Sequence, residues 1–213
     1  MVRRRMRAAL VLVVTLLVGS LGVVPAAGAP EQGPAVMSGS GLAAFEPEGF
    51  GPVTDVAVGA DGAAALTRTY EFSDTVYEAS FEATEIHHRT PGGEWTRIFY
   101  WTDYPGGPMP PGEYRGFSGI AVAPSGDVWV KTASGIETFS PTGEDRTTRT
   151  TDSGTGSVAV APDGTVWFTS ASDRIGRVSP GGTVTYFPHP DGVGPKDIAV
   201  DDAGNAWFTS SGN

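Results

Sequence analysis

The 213-residue chain has no cysteine. Disulfides, a thiolate metal site, a cysteine nucleophile and a lipidated cysteine are therefore excluded, and stability has to come from packed elements alone. Charge is also scarce, at 18% of residues, and basic residues are the scarcer kind, with 14 Lys and Arg against 24 Asp and Glu. Arg3, Arg4, Arg5 and Arg7 lie in the first 30 positions, which hold no acid, so a formal charge of −10 deepens to −14 over the remainder. Such an acidic body argues against nucleic acid or an anionic membrane as partner and fits a soluble exported protein. There is no Gly-Lys-Ser/Thr phosphate loop and no Gly-x-Ser-x-Gly elbow.

What is abundant is glycine, at 30 residues, with short runs of Val, Thr and aromatics between turns. That composition belongs to an all-β protein with many turns. The one long apolar run is N-terminal. Met1 to Arg7 is basic, Ala8 to Val24 is apolar, and Pro25-Ala26-Ala27-Gly28-Ala29 is a small-residue tail. This order is that of a secretory signal peptide over residues 1–29. The run is short for a membrane span of about 20 residues, so no stable span is expected after cleavage. Residues 30–40 read as a polar, disordered linker, and the mature protein is expected to be extracellular.

From there the chain repeats itself. Val56-Ala57-Val58, Ile120-Ala121-Val122, Val158-Ala159-Val160 and Ile198-Ala199-Val200 each lead into a Gly-bearing turn, at Gly62, Gly126, Gly164 and Gly204. The steps between copies are 64, 38 and 40 residues, and Trp129, Trp167 and Trp207 repeat the last two. The turns around Pro91, Pro141 and Pro180 fall at matching places. A unit of about 40 residues with four strands is a β-propeller blade. The first strand of each copy would line the axis, the second would carry the Trp series into the core, and the outermost would be a partly exposed edge.

The expected domain spans residues 41–213, with blades over 53–104, 117–151, 156–188 and a partial 196–213. The fourth copy lacks two strands. Leu42 to Phe45, within the segment 41–47, resembles the outer-strand end Val184-Thr185-Tyr186-Phe187 and is expected to close the ring. About three and a half blades fit the front part of a longer protein, a small four-bladed ring, or an open piece completed by another subunit. The first copy holds roughly a dozen extra residues in each of two loops, which read either as recognition loops or as a lengthened hairpin packing on itself.

The unit Pro162-Asp163-Gly164-Thr165-Val166-Trp167-Phe168-Thr169, followed by Arg174-Ile175-Gly176-Arg177-Val178, resembles the blade of the streptogramin B lyases, the virginiamycin B lyase family. The resemblance is close from Ile120 to Ser210 and loose from Val53 to Trp101. It implies a β-propeller and a magnesium-assisted elimination that opens the ester of a cyclic depsipeptide. That family's His and Glu positions lie on later blades than this sequence contains. Where its blades read Trp-Phe-Thr-Glu, this chain has Ser170 and Ser210, whose hydroxyls are poor ligands for a hard cation.

Candidate chemistry within the chain is sparse. Glu85 and His87, two apart on one strand, share a face and form a possible base with its orienting group. His88 points the other way, so the two histidines are not a ready metal pair. His189 belongs to a loop, and the Asp-Gly turns at Asp61 and Asp163 and the Asp201 loop read as turn chemistry, not calcium loops. The insertions of the first copy carry Tyr70, Phe72 and Tyr77, then Tyr104 and Tyr114, as candidate ligand-binding aromatics for a peptide, a glycan or a small apolar molecule. Three functions follow: a secreted lyase, a binding propeller without chemistry, or a lactonase-type hydrolase. Glu48-Gly49-Phe50-Gly51-Pro52-Val53 is only distantly like the metal-binding Glu-Gly-Pro start of the lactonase propellers, with two extra residues and no Trp after Val53.

Overall fold

The computed structural model describes residues 52–103, 116–151, 154–170, 173–188 and 194–210. The proposed signal peptide, linker and ring-closing strand lie outside these residues, as do Tyr104, Tyr114 and His189. All described regular structure is β. The first sheet holds β1 (Val53–Val58), β2 (Ala64–Asp74), β3 (Ala79–Arg89) and β4 (Trp95–Thr102). The second holds β5 (Phe117–Val122), β6 (Val128–Thr132), β7 (Gly135–Phe139) and β8 (Arg146–Thr150). The third holds β9 (Val158–Val160), β10 (Val166–Ser170), β11 (Arg174–Val178) and β12 (Val184–Pro188). The fourth pairs β13 (Pro195–Val200) with β14 (Ala206–Ser210). Each sheet is an antiparallel meander in sequence order.

The turns explain the meander. Between the first and second strands, the amide of Gly62, Gly126, Gly164 or Gly204 donates to the carbonyl three residues back. These glycines have φ between +82° and +87°, where a Cβ is costly. Asp61, Asp163 and Asp201 accept amide bonds from Ala63, Thr165 and Ala203, so they do turn work.

The innermost strands neighbour one another in succession, β1 by β5, β5 by β9 and β9 by β13. Alternating Val or Ile with Ala permits this approach. At Gly119 a Cβ would meet the backbone of Ser157 at 2.9 Å. Two apolar clusters bond the sheets. Ala65, Ile86, Val128, Val130 and Phe139 join the first to the second, and Ile136, Val158, Val166, Phe168 and Val178 join the second to the third. Each such buried aliphatic or aromatic side chain contributes about 1.5–3 kcal/mol.

Polar bridges cross the same seams. The Ser118 hydroxyl accepts from the Gly156 amide at 3.0 Å, and the Thr169 hydroxyl donates to the Lys196 carbonyl at 3.2 Å. Lys131 fills the Thr169 slot of the second sheet. It is fully buried, and its ammonium donates to the carbonyls of Thr132 at 2.6 Å and Gly154 at 2.7 Å.

The first insertion takes the form of a lengthened hairpin, the plainer of its two readings: β2 and β3 run 11 residues each. One expectation changes, because the Trp series is not uniformly core. Trp129 packs against the second cluster, whereas Trp207 is 66% exposed. Among the described residues no third strand pairs with β14, so it lacks the neighbour that β11 gives β10. The Trp207 indole donates to Asp201 at 3.0 Å, which with Asn205 holds that carboxyl down to about 2.

Candidate functional site

The inner strands start irregularly. Register shifts fall between Val53 and Asp55, between Phe117 and Gly119, and between Pro195 and Ile198. An irregularity of this kind re-aims side chains and is common beside functional sites. The residues just before the apolar Val or Ile of each copy are Asp55, Gly119, Ser157 and Asp197. Three of these four, with their neighbours, line one cavity of about 860 Å³.

Its wall combines Asp55, Asp173, Asp197 and Lys196 with the hydroxyls of Ser118, Thr155, Ser157 and Ser170, and its apolar floor includes Val56, Ile120, Val158 and Ile198. Asp55 and Asp197 play the same structural part. Each carboxylate accepts the amide of the next residue, Val56 or Ile198, at 2.9 Å. Asp55 also accepts the amide of Ile120 on the adjacent sheet. Burial pushes the Asp55 carboxyl up, the two amides pull it down, and the charge of Asp197 adds to the rise, so the net shift is upward. A partly buried carboxyl beside a second carboxylate is better suited to proton exchange than an ordinary surface acid.

The Glu85 and His87 pair lies elsewhere. Strand alternation brings both to one face of the first sheet, and Glu85 Oε2 meets His87 Nε2 at 2.8 Å. The Arg97 guanidinium donates to Glu85 Oε1 at 2.9 Å, the Tyr70 hydroxyl donates to the same oxygen at 3.3 Å, and buried Arg68 stands 3.9 Å away. Burial raises the Glu85 carboxyl, but the bonds and charges of His87 and Arg97 outweigh it and hold it at about 2. Burial and the charge of Glu85 raise the Tyr70 phenol. Glu85 side-chain exposure is 7%, and both its oxygens are engaged. The arrangement is a locked ion cluster and not a poised base. His88, on the opposite face, is buried, with no hydrogen bond to either ring nitrogen among the described residues.

Tyr70 therefore joins the ion cluster, while Phe72 and Tyr77 lie on the lengthened β2–β3 hairpin. None of the three lines the cavity. The cavity residues escaped the sequence reading, although a polar residue before Val56, Val158 and Ile198 was visible in three copies. Among the described residues no group of three or more His, Asp or Glu is placed to hold a metal ion. The magnesium implied by the blade motif thus finds no matching donor set there.

The architecture matches solved structures across most of the chain. A gluconolactonase from Xanthomonas campestris superimposes with a TM-score of 0.55 at 15% identity, over 82% of this chain and 60% of that one. The fold is a β-propeller. A second structure, of a candidate gluconolactonase, gives a TM-score of 0.52 at 14% identity, over 81% and 61% of the two chains. The chain thus spans about three-fifths of the length of these two structures. At these identities the likeness is one of fold. No protein-family model and no curated protein matches the chain.

Proposed function

We propose that the propeller binds a compact, hydroxyl-rich small molecule of the sugar-lactone class in the axial cavity and hydrolyses its lactone ring. The observation that carries this reading is the convergence of the inner-strand starts of all four sheets on one cavity, lined by three carboxylates, an ammonium and four hydroxyls. Serine and threonine hydroxyls and carboxylates supply the donors and acceptors a polyol needs, while the Val and Ile floor takes its C–H face.

In the proposed reaction, water adds to the lactone carbonyl carbon and Asp55 takes its proton. Burial has made this carboxylate more basic. Lys196, on the same wall, stabilises the developing oxyanion. The ring C–O bond then breaks, and the proton held by Asp55 passes to the departing alkoxide, giving a hydroxy acid. The gluconolactonases with this fold support the substrate class. The lyase reading rests on the Trp167-Phe168-Thr169 and Ile175-Gly176-Arg177 motifs, and these residues build strands β10 and β11 and not the cavity wall, where Ser170 is the sole β10 residue. The basic, apolar and small-residue order of residues 1–29 supports export, so the substrate would be met outside the cytoplasm.

The test is a pH-indicator assay of the chain with δ-gluconolactone and with simple five-membered lactones, alongside calorimetric titration with gluconate. The expected result is acid release above the spontaneous rate, lost in Asp55→Asn. Gluconate binding without turnover would reduce the reading to a binding propeller. Neither turnover nor binding would overturn it.

A further inference from the structure

The lengthened hairpin has no part in the axial cavity, yet its construction is specific. Pairing of β1 with β2 begins at Arg68, and pairing of β3 with β4 ends at Ala83. Glu82 is still held by Asp103, whose amide donates to its carbonyl at 3.2 Å and whose carboxylate accepts its amide at 2.7 Å; beyond it, the residues from Tyr70 to Phe81 continue as a two-stranded ribbon among the described residues. An isolated ribbon is marginal on its own. This one carries its own support, an aromatic ladder on one face. Tyr70 meets Phe72 at 6.4 Å between ring centroids, Phe72 meets Phe81 at 5.8 Å, and Phe81 meets Tyr77 edge-on at 6.0 Å.

The tip exposes further apolar surface. Val76 is 83% exposed, and Tyr77, whose ring also closes the ladder against Phe81, is 50% exposed. Asp74 Oδ1 fixes the loop by accepting the amides of Val76 at 2.7 Å and Tyr77 at 3.1 Å. Glu78 follows at φ +50°, a conformation that ordinarily calls for Gly or Asn.

The opposite face is built of three rungs. Thr69 and Thr84 share a hydroxyl bond at 3.1 Å, and Ser73 and Ser80 share one at 3.2 Å. The rung between them is Glu71 directly across from Glu82, both exposed and neither in an ion pair among the described residues. Like charges directly opposite destabilise a ribbon. From Thr69 to Thr84 there are four acids and no Lys or Arg.

We propose that this hairpin is a docking arm for a cationic partner, an extended Lys- or Arg-bearing segment of another protein. Its charges would sit at the Glu71–Glu82 rung and at Glu78, and its apolar side chains on Val76 and Tyr77. Charge complementarity selects the occupant. Binding a cation relieves the like-charge rung, and Tyr77 offers a ring face to a guanidinium or ammonium. A second copy of this chain is the wrong occupant, because its arm would bring four more carboxylates to the contact.

The test uses the full chain and a fluorescein-labelled alternating Lys-Leu octapeptide, read by anisotropy, with a Glu-Leu octapeptide as control. Saturable binding of the Lys-Leu peptide alone is expected. Glu71→Gln/Glu82→Gln and Val76→Ser/Tyr77→Ser should each weaken it about tenfold, and raised salt should weaken it further. Glu144→Gln/Asp145→Asn, which removes two exposed acids from a turn of the second sheet, should leave it unchanged. The Gln pair should fold at least as stably as the parent, since it removes repulsion. Absence of Lys-Leu binding, equal loss in the Glu144/Asp145 control, or arm-dependent self-association by sedimentation would overturn the proposal.

Discussion

The phenyl ring of Phe168 lies over the α-carbon of Gly176, in the space a side chain there would occupy. The same rung in the second sheet pairs Val130 with Glu137. With the smaller Val130, the third strand keeps a long side chain, which Arg146 neutralises at 2.8 Å. The glycine of the Ile-Gly-Arg motif is thus set by the aromatic of the Trp-Phe-Thr motif. Gly176→Ala should cost about 1–3 kcal/mol by overpacking. In Phe168→Val/Gly176→Ala the combined cost should fall short of the sum by about 1 kcal/mol. Urea denaturation of the two single variants and the double variant measures this coupling, and strict additivity would contradict the packing relationship.

The ion cluster makes the first sheet sensitive to acid. The folded carboxyl of Glu85 lies at about 2, below its ordinary 4.5. A depressed carboxyl contributes stability that is present above its unfolded value and lost as pH falls towards the folded one. The expected window of loss therefore runs from about 4.5 down to about 2. Glu85→Gln, which keeps the shape but leaves Arg97 and Arg68 facing a neutral group, should cost about 3 kcal/mol at neutral pH. It should also flatten the pH dependence in that window, as followed by melting temperature against pH.

His88 should act earlier in an acid titration. Its ring is buried with neither nitrogen hydrogen-bonded among the described residues, and burial lowers its pKa from 6.5, with the charge of Asp61 opposing. Opposite Ala65 and Thr96 it faces the seam with the second sheet. For a histidine held neutral in the fold, the unfolded chain takes up the proton first, so stability falls as pH drops below about 6.5. His88→Leu should remove this first phase and leave the Glu85 phase in place. A variant that loses stability equally from pH 7 to pH 5 would contradict the assignment.

Much of the scaffold was legible in the sequence because its signals are local. The Gly62, Gly126, Gly164 and Gly204 turns recur in every unit and the Trp spacing in three of the four, and period-two alternation placed Glu85 and His87 on one face. Arg97 was not foreseeable in that cluster. It arrives through a register shift of β4 beside Ile86 and His87, which no pattern in Trp95 to Thr102 announces. The cavity was hidden for a related reason. Asp55 and Asp197 are more than 140 positions apart, and the irregular strand starts that aim them break the alternation used to assign faces. The strand-forming residues of the first insertion, Tyr70 to Ser73 and Ser80 to Ala83, made a lengthened hairpin the plainer reading, and the paired strands have that form.

Asp55 tests whether the cavity is a site or a structural void. Its carboxyl is raised by burial, so ionising it in the fold costs stability, and that cost grows as pH rises through its folded value. Asn at this position keeps an oxygen to accept the amide of Val56 and loses the charge facing Asp197. Asp55→Asn should therefore melt at the parent temperature or above it at pH 7, while any lactone turnover falls at least about a hundredfold, the scale of a lost general base. Asp197→Asn, which removes the neighbouring charge, should lower the Asp55 pKa and shift the acid limb of the pH–rate profile downward with a smaller loss of rate. A gain in stability with loss of turnover is the signature of a charge kept for function. If Asp55→Asn instead unfolds the chain, the carboxylate serves the seam between the first two sheets and the cavity is not its purpose.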